Sequence, residues 1–327
     1  MADDLAIGVD IGGTKIAFAL VNRRGEVLAE HRLPTLPSEG AEAVFGRVAE
    51  GIHELLGQTD QPVSGVGIGC PGHLNPITGV IYNATNLAWH DVPLKAGVEV
   101  RLKQPLPVWV LKDANASALG ELYFGAAQGC SDFVYISLGT GLGGGAIVGG
   151  QLVQGGEFAA MEIGHMPFVP TNRLCACGMY GCPEMYLSGT GILAGAREHM
   201  PKFPDSILAS LGDNLTTTAI LEAASQRDRL AVAVMDETGW WLCSVMICLM
   251  GIFNPSMFVI GGGMGHASAE FIIPAAQKAL RERTNATIYP PDIPMVQSQV
   301  MSSAVGAACQ VWFGMRGSAQ TEKEAPL

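Results

Sequence analysis

The sequence predicts an α/β protein built in two halves. Three observations lead there. Short apolar runs alternate with helix-period segments along most of the 327 residues. Two of those runs meet a glycine loop and continue as a strand, once at residues 10–15 and again at 139–145. An aspartate, Asp113, stands where a strand runs into a helix, the place where α/β enzymes put catalytic groups.

The composition narrows the functional class. A chain of this length that is 48% hydrophobic suffices for two ordinary domains with large cores. The net charge of −11 argues against nucleic acid or an anionic membrane as partner. It does not argue against a small anionic ligand, because a few local N–H groups can hold a phosphate. MADDLAIGVD has no basic region followed by an apolar one, so no signal peptide is expected. The longest apolar stretch, WWLCSVMICLMGIF at 240–253, is short for a membrane span and reads as a fully buried helix. Eight cysteines suggest no disulfide framework, and a reducing cytoplasm is the expected compartment.

The elements follow in order. Residues 5–9 and 16–21 are apolar and flank Asp10-Ile11-Gly12-Gly13-Thr14-Lys15. Strand, Gly-Gly turn and strand make a hairpin that can turn N–H groups and the Thr14 hydroxyl toward a phosphate, with Asp10 near a metal ion. An ordinary glycine hairpin has the same pattern, and no Walker A loop is present. Residues 39–56 put Val44, Val48, Ile52 and Leu55 on one helical face. Residues 63–68 are a strand ending at Gly69-Cys70-Pro71-Gly72. The amide of Asn86 can donate to and accept from paired sugar hydroxyls, though a loop Asn more often bonds its own backbone. Residues 106–111 form a strand running into Lys112-Asp113, and 116–124 a helix. Asp113 reads equally as a catalytic carboxylate or as that helix's N-cap.

Residues 133–138 form a strand, followed by Gly139-Thr140-Gly141-Leu142-Gly143-Gly144-Gly145. A dinucleotide fingerprint would open a helix here, but Ala146-Ile147-Val148 and the Gly149-Gly150 turn indicate a strand, against a dehydrogenase. Beyond the cysteines, 188–199 is a helix, 201–214 is irregular, and Thr216 or Thr217 caps a helix over 219–224. A long helix at about 229–253, bent near Gly239, ends at Asn254-Pro255. Residues 257–260 are a strand meeting Gly261, Gly262 and Gly263, which either admit a flat ligand to the backbone or make a tight turn. Helices are expected over 271–283 and 300–313, and 318–327 reads as a frayed tail.

The chemistry is densest at 162–184, EIGHMPFVPTNRLCACGMYGCPE. Cys175, Cys177 and Cys182 with His165 make a Cys3His set, which suits a closed tetrahedral zinc site. Gly178 and Gly181 let the loop curl around an ion. Buried thiols are the ordinary alternative, which the tight grouping disfavours.

DIGGTK at 10–15, PG at 71–72, NLAW at 86–89, DANASALGE at 113–121, GTGLGGG at 139–145, EIGH at 162–165, CACGMYGCPE at 175–184 and NPSMFVIGGG at 254–263 resemble, in order, the ROK family of repressors and sugar kinases. The likeness covers about residues 5–313, and the C-x-C-G-x-x-G-C-x-E piece is the specific one. It implies an actin-like, hexokinase-type (ribonuclease H-like) two-domain fold with a cleft between the domains. The expected division is 1–116 with 303–317, and 117–302. The resemblance implies ATP-dependent phosphorylation of a hexose 6-hydroxyl, glucose first, with Mg²⁺ accompanying ATP and a structural Zn²⁺. It casts Asp113 as general base and Gly72, Asn86, Asp113, Glu162, His165 and Glu184 as sugar contacts. Asp10, Gly12, Gly13, Thr14, Lys15, Gly139, Thr140, Gly141, Gly143, Gly261, Gly262 and Gly263 would line the nucleotide side. His165, Cys175, Cys177 and Cys182 would hold the zinc, with the second nitrogen of His165 toward the sugar. A homodimer or homotetramer is expected.

Two positions depart from the family pattern: Lys112 where Asn commonly precedes the Asp, and Met161 where Gly commonly precedes the Glu. N-acetylmannosamine, N-acetylglucosamine, fructose and allose kinases share these motifs and remain alternatives. A sugar-responsive repressor of the same family would carry a DNA-binding module ahead of the DIGGTK segment; nine residues precede Asp10 here, so the kinase is the expectation.

Overall fold

Gly12-Gly13 turns β1 (Leu5–Ile11) back onto β2 (Lys15–Asn22), with Ile11 opposite Ile16, so the expected hairpin forms. The computed structural model describes residues 4–167, 173–284, 288–300 and 302–314; the expected tail at 318–327 lies outside them, as do 168–172 of the cysteine segment. β3 (Val27–Pro34) adds antiparallel to β2. After α1 (Ala41–Leu56), β4 (Val63–Cys70) runs parallel to β1. β5 (His73–Asn75), β6 (Val80–Ala84) and β7 (Trp89–Pro93) form a separate antiparallel sheet. α2 (Leu94–Glu99) leads to β8 (Val108–Lys112), parallel to β4, and α3 (Asp113–Phe124) follows without a break.

The second half repeats the plan with β9 (Phe133–Leu138), β10 (Leu142–Val148) and β11 (Gln151–Leu152). Helices α4 (Glu184–Leu187), α5 (Gly189–His199), α6 (Thr217–Ser225) and α7 (Arg229–Phe253) come next. β12 (Met257–Gly261), α8 (Gly262–Arg283), β13 (Met295–Gln297) and α9 (Ser303–Phe313) complete the chain. The large sheets have strand orders β3-β2-β1-β4-β8 and β11-β10-β9-β12-β13. In each, the strand before the glycine loop pairs in parallel with the strand beyond the next helices. The duplication suggested by the two glycine loops is therefore topological.

Two compact units divide the chain: Met1–Phe124, Ile147–Ala160 and Ser302–Leu327 make one, Gly125–Ala146 and Met161–Met301 the other. In the first, α1 buries Val44, Val48, Ile52 and Leu55, the face its spacing predicts, plus Phe45. α9 docks on the central strands at glycines. A Cβ on Gly8 would collide with the Ala304 carbonyl, one on Gly67 with that of Ala307, and one on Gly306 with that of Ala116 in α3. Backbone approaches this close leave no room for side chains.

In the second unit, α7 runs unbroken through Gly239, where a bend was expected. A Cβ there would strike Ala275 and Ala276 of α8, so this glycine serves helix–helix contact. α7 is long and apolar enough to cross a membrane by length and composition. It is not buried all round as expected: Leu242, Val245, Met246 and Leu249 are interior, while Trp240 and Ile252 are 42% and 65% exposed. α8 starts at Gly262, nine residues ahead of its expected start at 271, and carries Pro274 inside it. GGMGH has poor helix propensity, and here it packs against the ends of β9 and β12. The strands β3, β5, β6, β7, β11 and β13 were not expected at all.

Gly67→Ala should cost about 1–3 kcal/mol in urea unfolding because the methyl meets fixed backbone. Gly46→Ala on the exposed face of α1, where nothing lies within 4 Å, should stabilise by up to about 1 kcal/mol.

Candidate active site

Parallel strands β1, β4 and β8 end side by side, and their last residues carry the polar groups. Asp10 pairs in register with Gly69, and Cys70 with Lys112. Asp113 is the first residue of α3, and its Oδ1 accepts the Ala114 N–H at 2.7 Å. Asp113 thus sits at the strand mouth the catalytic reading requires while bonding the helix's first turn. Gly69 places no side chain in front of it: a Cβ there would lie 3.6 Å from the Asp113 Cα. Lys112 is 7% exposed.

The carboxyl of Asp10 is pushed up to about 6 by burial, with the charge of Asp113 adding; a hydrogen bond with Ser303 and the charge of Lys15 oppose this. Burial, Asp113 and Asp10 together push the Cys70 thiol well up, so it is inert there. A buried carboxylate with a second one near enough for its charge to be felt is a donor set that suits a divalent cation. The hairpin beside them is tied down. Gly12 N–H donates to the Lys15 carbonyl (2.9 Å), the Thr35 hydroxyl to the Gly12 carbonyl (2.7 Å), and Thr35 N–H to the Thr14 carbonyl (3.0 Å). Thr14 and Lys15 are exposed. A Cβ on Gly13 would lie 3.5 Å from the Asn86 carbonyl oxygen, so Asn86 borders the hairpin. Gly72, at φ +95°, backs onto Asn83 and Ala84. Asp10, Gly12, Gly13, Gly72, Asn86 and Asp113 thus gather in the first unit.

The second unit gathers the rest. The loop Gly139, Thr140, Gly141 lies between β9 and β10, with Gly143 already in β10, and Gly189 N–H bonds the Gly139 carbonyl at 3.0 Å. Gly261, Gly262 and Gly263 form a strand-to-helix junction; Gly262, at φ +81°, lies against Ser137 and the end of β9, and Gly263 faces open space. Glu162 precedes a 3-10 turn, Ile163–His165, closed by His165 N–H to the Glu162 carbonyl at 3.0 Å. Met161 occupies the left-handed region at φ +65°, strained for a side chain, with its Cε packed near Gly144. Glu184 opens α4, and its Oε2 accepts the Leu142 N–H at 2.9 Å.

The metal residues converge. One ligand atom from each of His165, Cys175, Cys177 and Cys182 lies within 4.8 Å of all the others. Cys175 Sγ is 3.7 Å from His165 Nδ1, and the Cys177 and Cys182 sulfurs are 3.5 Å apart. Edges near 3.7 Å are what a tetrahedron with roughly 2.3 Å metal–sulfur bonds requires. Gly178 and Gly181, at φ +88° and +83°, make the bends, and Leu174 pairs with Tyr180 across the loop. Burial and the neighbouring thiols push Cys182 up to about 12, and burial raises Cys175 as well. For Cys177 burial acts upward too, but hydrogen bonds from the Met179 backbone and the two thiols outweigh it and lower the thiol. Three such sulfurs can be thiolates together only around a cation. The donor set fits zinc.

Three supports were not legible in the sequence. Ser303 bonds Asp10 from the far end of the chain. Leu142 N–H bonds Glu184. Arg173 pairs with Glu198 at 2.6 Å, donates to the Met185 carbonyl at 2.7 Å and stacks 4.1 Å over the Tyr186 ring. It thus anchors the cysteine loop to α4 and α5. Only a basic residue beside the cysteines hinted at this.

Residues 6–312 match the ROK family. A glucokinase of Halalkalibacterium halodurans is 36% identical over 284 residues, 85% of this chain and 86% of its own length. A glucokinase of Streptomyces coelicolor is 35% identical over 312 residues, 93% and 96%. The structure of a ROK family glucokinase from Streptomyces griseus in complex with glucose and AMPPNP has a TM-score of 0.81 at 36% identity, over 93% of this chain and 98% of that one. With nearly the whole length matched and the motifs assembled as described, the chain belongs to the ROK family and has the actin-like, hexokinase-type fold of its sugar kinases.

Proposed function

We propose that the protein is a glucokinase, transferring the γ-phosphoryl group of ATP to the 6-hydroxyl of glucose. The observation that carries this reading is the likeness, over 93% of the chain, to an enzyme whose structure holds glucose and AMPPNP. Asp113 accepts the proton of the sugar's 6-hydroxyl as that oxygen bonds to the γ-phosphorus, and the bond from phosphorus to the ADP oxygen breaks. The products are glucose 6-phosphate and ADP. Positioning and charge stabilisation supply most of the rate in such transfers. Asn86, Glu162, His165 and Glu184, with the Gly72 backbone, bind the sugar hydroxyls and select against sugars lacking them. Backbone N–H groups at Gly13, Thr14, Thr140, Gly141 and Gly143, with the Thr14 hydroxyl and Lys15, hold the phosphates, while the Gly12 and Gly139 N–H groups close the two turns. Gly261, Gly262 and Gly263 leave room for the base.

Asp10 would hold Mg²⁺, which when bound neutralises phosphate charge. His165, Cys175, Cys177 and Cys182 would hold a structural Zn²⁺, which orders the loop leading to Glu184. His165 uses Nδ1 on the sulfur side, leaving Nε2 for a sugar hydroxyl. All eight cysteines are free thiols, which supports a cytoplasmic setting. Exposed Leu174, Met179 and Tyr180 on the metal loop and Trp240 and Ile252 on α7 are apolar surface that a homodimer or homotetramer would cover.

A coupled ADP-release assay over hexoses and N-acetylhexosamines should show glucose with the highest kcat/KM; a higher value for an N-acetylhexosamine would reassign the substrate. Asp113→Asn should keep glucose affinity and lose roughly 10²–10⁴-fold in kcat. Cys177→Ser should purify with little zinc by elemental analysis and melt several degrees lower, at about 2–4 °C per kcal/mol.

Asp10 gives a pH signature free of catalysis. Its folded value of about 6 lies above its ordinary 3.8, so between those values the folded state holds a proton that the unfolded state releases. Stability therefore falls as pH rises through that window. In metal- and nucleotide-free urea unfolding, Asp10→Asn should remove roughly 2 kcal/mol of that decline between pH 4.5 and 7.

A further inference from the structure

Glu184 carries two loads in this structure. Its Oε2 accepts the Leu142 N–H at 2.9 Å, at the end of the Gly139-Thr140-Gly141 loop. Its Oε1 lies 3.8 Å from the Cys175 sulfur. The space around Oε2 is made by missing side chains. A Cβ on Gly141 would lie 2.6 Å from it, and one on Gly164, in the turn between Glu162 and His165, 3.4 Å. Gly141 is not in the left-handed region, so its backbone conformation is open to alanine. What the residue must avoid is the carboxylate.

We propose that Gly141 and the Leu142 N–H are positioning elements for the sugar-binding carboxylate, so the glycine loop sets sugar affinity through Glu184. A charge-assisted bond to a backbone N–H is short and directional, and it fixes one carboxylate oxygen. With Oε2 engaged, and Oε1 on the Cys175 side, the plane in which the carboxylate meets a sugar hydroxyl is set. Gly141 keeps the slot open, and Leu142 holds the carboxylate in it. A loop assigned to the nucleotide by its glycines thereby also shapes the sugar site. Displacing it by even a fraction of an ångström moves Glu184. The inference rests on the reading of Glu184 as a sugar ligand.

The test uses the full chain with Gly141→Ala, Glu184→Ala and the double variant, measuring glucose dissociation by calorimetry, KM for glucose and MgATP, and thermal melting. Gly141→Ala displaces the far end of a flexible side chain, so it should melt within a few degrees of wild type. Its glucose dissociation constant, measured without nucleotide, and its KM for glucose should rise about tenfold or more. In the Glu184→Ala background the methyl has room, so glucose affinity should not fall further; this non-additivity marks action through Glu184. If Gly141→Ala raises KM for MgATP and leaves glucose binding unchanged, or if its effect on glucose adds fully to that of Glu184→Ala, the positioning role is overturned. If Glu184→Ala alone binds glucose like wild type, the sugar-ligand reading of Glu184 is itself wrong, and the role drawn from it falls with it. The double variant relieves the clash, so a poorly folded Gly141→Ala should be rescued by it, again placing the contact at Glu184.

Discussion

Asp10 and Asp113 are held at the ends of neighbouring parallel strands, close enough that each feels the other's charge in a partly desolvated setting. Much else in the first unit serves that arrangement. Glycines at Gly8 and Gly67 let α9 lie against the central strands, and α9 brings Ser303 to Asp10. Gly69 keeps the strand between the two carboxylates free of a side chain. The result is a site that is uncomfortable alone and is relieved by a proton or a cation. Such stored repulsion is common where function requires a ligand to complete the charge balance.

The second unit repeats the theme with sulfur. Cys175, Cys177, Cys182 and His165 are brought within 4.8 Å by two left-handed glycine bends, with burial raising the thiols of Cys175 and Cys182. Arg173 holds the same loop by purely organic means, through Glu198, the Met185 carbonyl and the Tyr186 ring. The cysteine loop is therefore tied to α4 and α5 by Arg173 as well as shaped by its own bends, and Glu184 opens the helix it is tied to.

Periodicity made α1 legible, and the glycine loops made both hairpins legible. The spacing of the cysteines with His165 singled out four donors that the structure brings together, a set that could hold a metal. What escaped depends on partners distant in sequence. α8 begins at Gly262 against the ends of β9 and β12, and no local propensity announces a helix in GGMGH. Gly239 looked like a bend and is a contact with α8. β5, β6 and β7 are short, and β3 has one half-solvated face, so neither offers the continuous apolar run that marked the central strands. Gly141 reads in sequence as a phosphate-loop residue; only the structure reveals the carboxylate beside it. Ser303 is invisible as a site residue because its partner lies nearly three hundred positions away.

That last separation bears on synthesis. The first sheet is laid down early, yet the helix that covers Gly8 and Gly67 comes from a segment nearly three hundred positions later. Until it docks, those strands present bare backbone and an open apolar face, the kind of surface chaperones recognise. The intervening unit is continuous but for one short excursion and can consolidate first. The first unit is therefore closed only when the helix at 303–313 docks, so its central strands depend for their cover on a segment made after the whole of the second unit.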